Sequence, residues 1–282
     1  MARVGPARDQ MVTVETPTGT QPDTAAARWA ALMAARAVPD EILAHAPASP
    51  YRQDPERFRP AADPPETPSR RAAVAVLAAS TDRTVLDVGC GAGAASLALV
   101  GEARHVVGVD PASDMLAAFV GACLEWGMPY QGVLGSWPEA LADSGTADLV
   151  LCHHVGYDTD DLAAFAAGLG AAARGGVVME LHAHHPQAWL DPFWERFHGV
   201  RRPAPPSADD ALAVLTELGI EPEVERWTAG PRPVEAPDVR AARVTRRLCL
   251  PPERVGEVAE ALATHDGPTA PPAGRVTFSW RT

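Results

Sequence analysis

Thr84-Val85-Leu86-Asp87-Val88-Gly89-Cys90-Gly91-Ala92-Gly93 is the stretch that decides the fold. Val85, Leu86 and Val88 are a β-branched and aliphatic run that reads as a short buried strand. Three glycines in G-x-G-x-G spacing follow, and an alanine-rich stretch, Ala92 to Val100, reads as a helix. Glycine suits such an elbow because the backbone must take positive φ and approach a ligand closely, which a Cβ would forbid. A helix start beyond it would offer unpaired N–H groups to that ligand.

Outward from the elbow, strand and helix patterns alternate. Strands are expected at Val85–Val88, His105–Asp110, Gln131–Leu134, Ala147–His153, Val177–Leu181 and Val224–Trp227. Helices are expected at Ala92–Val100, Ser113–Trp126, Trp137–Ala142, Asp160–Arg174 and Ala208–Leu218. This alternation means an α/β fold with a parallel sheet covered on both faces. The end is less regular: Val244–Leu250 reads as a strand, Pro252–Ala263 as a helix, and Arg275–Trp280 as a closing antiparallel strand. Upstream, residues 1 to about 22 show no period and read as a loose tail. Ala25–Ala37 and Pro39–Ala46 read as helices, and Pro47–Pro68 as an extended Pro-rich cover. Ser69 is the expected cap of a helix over Arg70–Ala79. The reading divides the chain into a cap segment, residues 1–68, and a main domain, residues 69–282.

The 282 residues are 46% hydrophobic, enough for a real core, and carry a formal net charge of −12. That acidity argues against a nucleic-acid partner, which normally needs a basic surface. The absence of Lys and Asn reads as a GC-rich coding bias. Cys90, Cys123, Cys152 and Cys249 are dispersed, which disfavours a disulfide framework or a zinc knuckle. With neither an 18-residue apolar run nor a signal-type start, the expectation is a cytoplasmic protein with no membrane partner. Oligomeric state is not legible.

In such a sheet, ligands bind at the carboxyl ends of the strands near the point where strand order reverses. Those ends are Gly89–Gly93, Asp110-Pro111, Gly135-Ser136-Trp137, His153-His154 and His182–His185. Taken with Val-Val-Gly-Val-Asp-Pro-Ala-Ser-Asp-Met-Leu (106–116) and Ala-Asp-Leu-Val-Leu-Cys-His-His (147–154), the elbow resembles that of a class I, S-adenosylmethionine-dependent methyltransferase. The likeness covers roughly residues 70 to 230. It implies a doubly wound, mostly parallel seven-stranded sheet with helices on both faces, and S-adenosyl-L-methionine as cofactor. It also implies that Gly89, Cys90, Gly91 and Gly93 wrap the methionine part, with Asp87 organising that loop or the cofactor's ammonium group. Asp110, followed by Pro111, would accept the ribose hydroxyls, Met115 would meet the adenine face, and His153 would lie along the cofactor. The family often has an acid after the third strand; this chain has Ser136 and Trp137, so Trp137 is the expected adenine surface. Arg70 or Arg71 is a candidate for the cofactor carboxylate. A dinucleotide site would prefer G-x-G-x-x-G with an aliphatic residue at position 87, and this chain has neither.

Methyl transfer to a hydroxyl or a protonated amine requires a proton acceptor, and histidine suits that task near neutral pH. Six of the nine histidines fall between positions 153 and 198. His154 is the first candidate base, then His182 and His185, with Tyr157 and Asp158 placed to bond an acceptor. Asp158 or Asp160 reads equally as a helix cap. Alternation puts Glu180, His182 and His184 on one side of a strand, but without a recognised ligand motif no metal is expected. The aromatic segment within residues 188–206, with Trp189 and Trp194, joins Tyr51 and Phe58 as candidate substrate cover; the other reading makes these aromatics the core of the cap. The expected activity is methylation of an oxygen or nitrogen of a small-molecule acceptor. The alternatives are a non-catalytic cofactor-binding relative and a protein side-chain methyltransferase. No Asn-Pro-Pro-Tyr-type motif follows the fourth strand.

Overall fold

A computed structural model describes residues 24–230 and 235–282; the expected tail lies outside them. In chain order the helices are α1 Ala25–Ala34, α2 Asp40–Ala44, α3 Pro68–Ala78, α4 Ser113–Trp126, α5 Leu141–Ser144, α6 Leu162–Ala172, α7 Asp191–His198, α8 Ala208–Glu217, α9 Pro237–Arg247 and α10 Val255–Thr264. The strands are β1 Thr84–Val88, β2 His105–Asp110, β3 Tyr130–Leu134, β4 Ala147–His153, β5 Ala173–His182, β6 Glu223–Thr228 and β7 Gly274–Trp280. They form one sheet in the order β3-β2-β1-β4-β5-β7-β6. The first five strands of that order run parallel, and β7 runs antiparallel to both β5 and β6. Strand order reverses between β1 and β4, which opens a crevice at their carboxyl ends.

Alternation along the strands sorts the core into two layers. Leu86, Val88, Val150 and Met179 pack with α1, α6 and α8 on one face. Val85, Leu149, Leu151 and Val178 pack with α3 and α4 on the other. A third apolar cluster gathers Val38, Trp189, Leu190, Phe193 and Trp194 with Val244 of α9, Leu248 just beyond it and Val258 of α10. No helix among the described residues is long and apolar enough to cross a membrane.

Five local expectations are corrected. The segment after the elbow is not an α-helix: Gly91 and Gly93 hold φ of +53° and +90°, so right-handed helix cannot begin before Ala94. Only a turn and a short 3-10 helix, Leu97–Leu99, follow. Residues 244–247 end α9 instead of forming a strand, because Ala241, Val244 and Leu248 share one face at helical spacing and bury it. Thr67, not Ser69, caps α3 by accepting the Arg70 N–H at 3.1 Å. Asp161, not Asp158 or Asp160, caps α6 by accepting the Ala164 N–H at 2.9 Å. The short α5 also starts later than expected, at Leu141.

Candidate active site

Register builds the site as a row across the carboxyl end of the sheet. Asp87 pairs with Leu151 of β4, two residues before His153; His153 pairs with Glu180 of β5, and Glu180 with Thr277 of β7. Register partners project to the same face, so Asp87, His153, Glu180 and Thr277 rise on the α3 side. Above them lies a cavity of about 650 Å³. Its walls include the elbow, Asp110, Met115, His154, Trp227 and Arg275.

The elbow is locked from below. The N–H groups of Gly89 and Cys90 both donate to the Val109 carbonyl, at 2.8 and 3.0 Å. Gly89 holds φ +71°, and a Cβ there would lie 2.3 Å from Val155 Cγ2, so only glycine fits. The Gly91 N–H donates to Asp110 Oδ2 and the Ala112 N–H to Oδ1, each at 2.9 Å. Each carboxylate oxygen keeps lone-pair capacity for a second donor. Burial raises the Asp110 pKa, with the two N–H bonds opposing it.

Asp87 is 1% exposed, and its Oδ2 is buried without a hydrogen-bond partner among the described residues. Burial raises its pKa, while the neighbouring Ser96 and His153 oppose the shift. A buried carboxylate oxygen lacking a donor, beside a glycine loop and a cavity, suits a cationic ligand group. His153 Nε2 is likewise buried and unpartnered among the described residues. The residues present therefore fit a cofactor bearing an ammonium group and a ribose.

His154 follows β4 in the left-handed region, with φ +66°. A non-glycine residue held there must be fixed by its surroundings. Glu180 supplies that hold twice. Its carbonyl accepts the His154 N–H at 2.7 Å, and its carboxylate Oε1 lies 3.1 Å from His154 Nε2. Glu180 Oε2 accepts the Ser69 hydroxyl at 2.5 Å. Burial would raise Glu180, but the His154 and His153 rings and the Ser69 hydroxyl outweigh it and hold the carboxyl below its ordinary range. The enclosing walls lower the His154 pKa, opposed by Glu180. An ionised Glu180 only accepts, so neutral His154 carries its proton on Nε2 and leaves Nδ1 bare. Nδ1 is buried and has no hydrogen-bond partner among the described residues.

Of the residues singled out in the sequence, Asp87, Gly89, Cys90, Gly91, Asp110, Pro111, Met115, His153, His154, Tyr51 and Phe58 all line the cavity, as does Asp158. Phe58 lies over Gly91, 3.5 Å from where a Cβ would stand. Gly93 sits one layer deeper, against Leu97 and Phe119.

Other candidates are elsewhere. Trp137 is buried in the core and donates its indole N–H to the Phe165 carbonyl at 3.1 Å, so it offers no face to an adenine. Ser136 is exposed outside the cavity. Tyr157 is buried against Trp29, with ring centroids 5.6 Å apart, and its hydroxyl donates to the His182 carbonyl at 2.8 Å. His182 is buried behind His154, ring centroids 4.7 Å apart. His185 packs on Tyr157 and accepts the Gln187 N–H at 3.1 Å; burial first, then Arg36, Arg202 and Arg247, lower its pKa to about 3. Trp189 and Trp194 are core of the third cluster, away from the cavity walls. Arg71 pairs with Glu225 at the surface, while Arg70 lines the cavity but is engaged by Glu66 and Glu102. Among the described residues no three His, Cys, Asp or Glu side chains converge as metal ligands.

Sequence reasoning placed Glu180 only as a metal candidate and Ser69 only as a cap, and passed over Thr277, Trp227 and Arg275. A lone glutamate in the apolar run Val-Val-Met-Glu-Leu was the available signal. The last two strands carried none, because only the sheet brings residues near 227 and 277 to residue 180.

Residues 85–176 match the family model of a methyltransferase domain. A search of curated proteins gave no match. Among solved structures, the YcgJ protein from Bacillus subtilis is similar at 15% identity, over 76% of this chain and 98% of its own, with a TM-score of 0.48. Magnesium protoporphyrin IX methyltransferase from Synechocystis, with bound S-adenosylhomocysteine, is similar at 21% identity, over 58% of this chain and 77% of its own, with a TM-score of 0.43. Precorrin-6y C5,15-methyltransferase from Geobacter metallireducens is similar at 12% identity, over 80% and 95%, with a TM-score of 0.45. The domain match falls on the strand, glycine elbow and Asp110 from which the site is built, so residues 85–176 carry the pattern of a methyltransferase domain.

Proposed function

We propose that the enzyme methylates an oxygen or nitrogen of a small-molecule acceptor, with His154 as the base that takes the acceptor's proton. The observation that carries this is the His154–Glu180 pair at 3.1 Å beside the elbow, with Nδ1 unpartnered among the described residues. A base oriented by a carboxylate is the arrangement that activates hydroxyl and amine nucleophiles.

In this reading Asp110 accepts the ribose hydroxyls, Asp87 and the Gly89–Gly93 backbone hold the methionine part, and Met115 and His153 lie along the cofactor, with Cys90 and Pro111 shaping its walls. Bound there, S-adenosyl-L-methionine supplies a methyl group on a positively charged sulfur. Tyr51, Phe58 and Trp227 provide the apolar cover under which an acceptor is dried and oriented. α1 packs with the sheet, and α2 and α7 pack with α9 and α10 in a separate apolar cluster.

The test is incubation with methyl-labelled cofactor and a metabolite extract, with identification of the labelled product. His154→Gln should cut turnover by about 100-fold or more, the order a lost general base costs, while S-adenosylhomocysteine affinity stays within a few fold. Labelling of protein only, or undiminished turnover in the variant, would overturn the proposal.

A further inference from the structure

The His154–Glu180 pair is the end of a longer chain of hydrogen bonds. Ser69 Oγ, fully buried in the first turn of α3, donates to Glu180 Oε2 at 2.5 Å and lies 2.7 Å from Thr277 Oγ1 on β7. Thr277 Oγ1 in turn accepts the Trp227 indole N–H at 3.1 Å from β6. The indole is donor-only and an ionised carboxylate is acceptor-only, so every proton in between has one direction. Trp227 donates to Thr277, Thr277 to Ser69, Ser69 to Glu180, and His154 Nε2–H to the other carboxylate oxygen. A row of bonds pointing one way polarises its members.

From this geometry we infer that Ser69 and Thr277 are positioning residues, which act through Glu180 to keep His154 in the single tautomer with Nδ1 bare. The inference deepens the reading of His154 as base but rests on separate observations: two buried bonds and one half-buried bond from α3, β6 and β7, none of which touches His154. The Ser69 hydroxyl occupies Glu180 Oε2 and so leaves Oε1 as the oxygen that meets His154. Thr277, register partner of Glu180 across the sheet, supplies the Ser69 oxygen with a donor and commits the Ser69 proton to Glu180. With Thr277 Oγ1 removed, Ser69 is free to turn, and Glu180 loses the bond that fixes its rotamer. The Trp227 indole lines the cavity, so an acceptor packed on it stands on the same network that orients the base.

The tautomer can be read without any acceptor, which separates this inference from the assignment of His154 as base. Full-length protein with nitrogen-15-labelled histidine, saturated with S-adenosylhomocysteine, is compared by NMR with Thr277→Val, Thr277→Ser and Ser69→Ala; His154→Gln identifies the His154 signals. The expected result is a protonated Nε2 and a bare Nδ1 in the wild type and in T277S, and a mixture of tautomers in T277V and S69A. Thr277→Val preserves shape, and T277S restores the hydroxyl alone, so a merely structural role would move neither spectrum selectively. Wild-type protein protonated at Nδ1, or T277V with the wild-type tautomer, would overturn the inference. A loss of turnover in His154→Gln bears on the base and leaves this outcome unchanged.

Discussion

Substituting Gly89 by alanine tests the closest approach in the cofactor elbow. The new Cβ would stand 2.3 Å from Val155 Cγ2 and 3.1 Å from Cγ1, on a backbone held at φ +71°. Two penalties add. A side chain in the left-handed region costs roughly 1–2 kcal/mol. Forcing a methyl group into a filled space costs about 1–3 kcal/mol more, because Val155 must leave its rotamer or carry the His154 loop with it. The sum is about 2–5 kcal/mol of folding stability. Urea unfolding of wild type, G89A, Val155→Ala and the double variant measures it as a cycle. Truncating Val155 should return the steric part and leave the backbone part, giving a favourable coupling of about 1–3 kcal/mol between the two changes. A coupling within about 0.5 kcal/mol of zero would refute the contact, since independent sites add to that precision.

Other consequences concern charge and packing. Burial raises Asp87 in the ligand-free protein, so its ionised form weakens the fold. That cost sets in as pH rises above the unfolded-state value of about 3.9 and grows until the pH passes the raised folded-state value. Asp87→Asn should therefore raise the melting temperature of the ligand-free protein at pH 7 and weaken S-adenosylhomocysteine binding by about 10–100-fold, the worth of a charged hydrogen bond. Calorimetry showing unchanged affinity would remove Asp87 from the cofactor. Trp137→Phe should cost about 1–2 kcal/mol through the lost bond to the Phe165 carbonyl while leaving that affinity within twofold; a large loss of binding would return Trp137 to the adenine. For His154, the cavity walls lower the pKa, Glu180 opposes them, and His153 and Arg275 add to the lowering. The neutral base therefore survives below the ordinary histidine value of about 6.5, and turnover of the labelled acceptor should rise with pH through a midpoint under that value. A midpoint above 7 would mean that another group controls the proton.

What the sequence determined by itself was local and periodic. The run Val85–Val88, its three glycines and the acid closing β2 are a strand, an elbow and a carboxylate at fixed chain distances, so this end of the cavity was legible from the chain alone. The helical spacing of Ala241, Val244 and Leu248 was present too, but valine, threonine and leucine pack equally well in strands. Only packing against the neighbouring α10 decided that α9 runs on through Val244 to Arg247. The positive φ of Gly91 and Gly93, which cancels the expected helix after the elbow, is a choice that glycine permits and the surrounding contacts make.

Tertiary structure alone assembled the hydrogen-bonded surroundings of His154. His154 could be nominated from its place after β4, yet its partner Glu180 is tied through residues 69 and 277 to residue 227, which meet only because β7 inserts antiparallel between β5 and β6. The same assembly turned Trp137, Tyr157, Trp189 and Trp194 inward, since an aromatic stripe reads alike whether it covers a ligand or fills a core. Chain spacing fixes a turn, whereas a hydrogen-bond network across strands depends on which strands become neighbours.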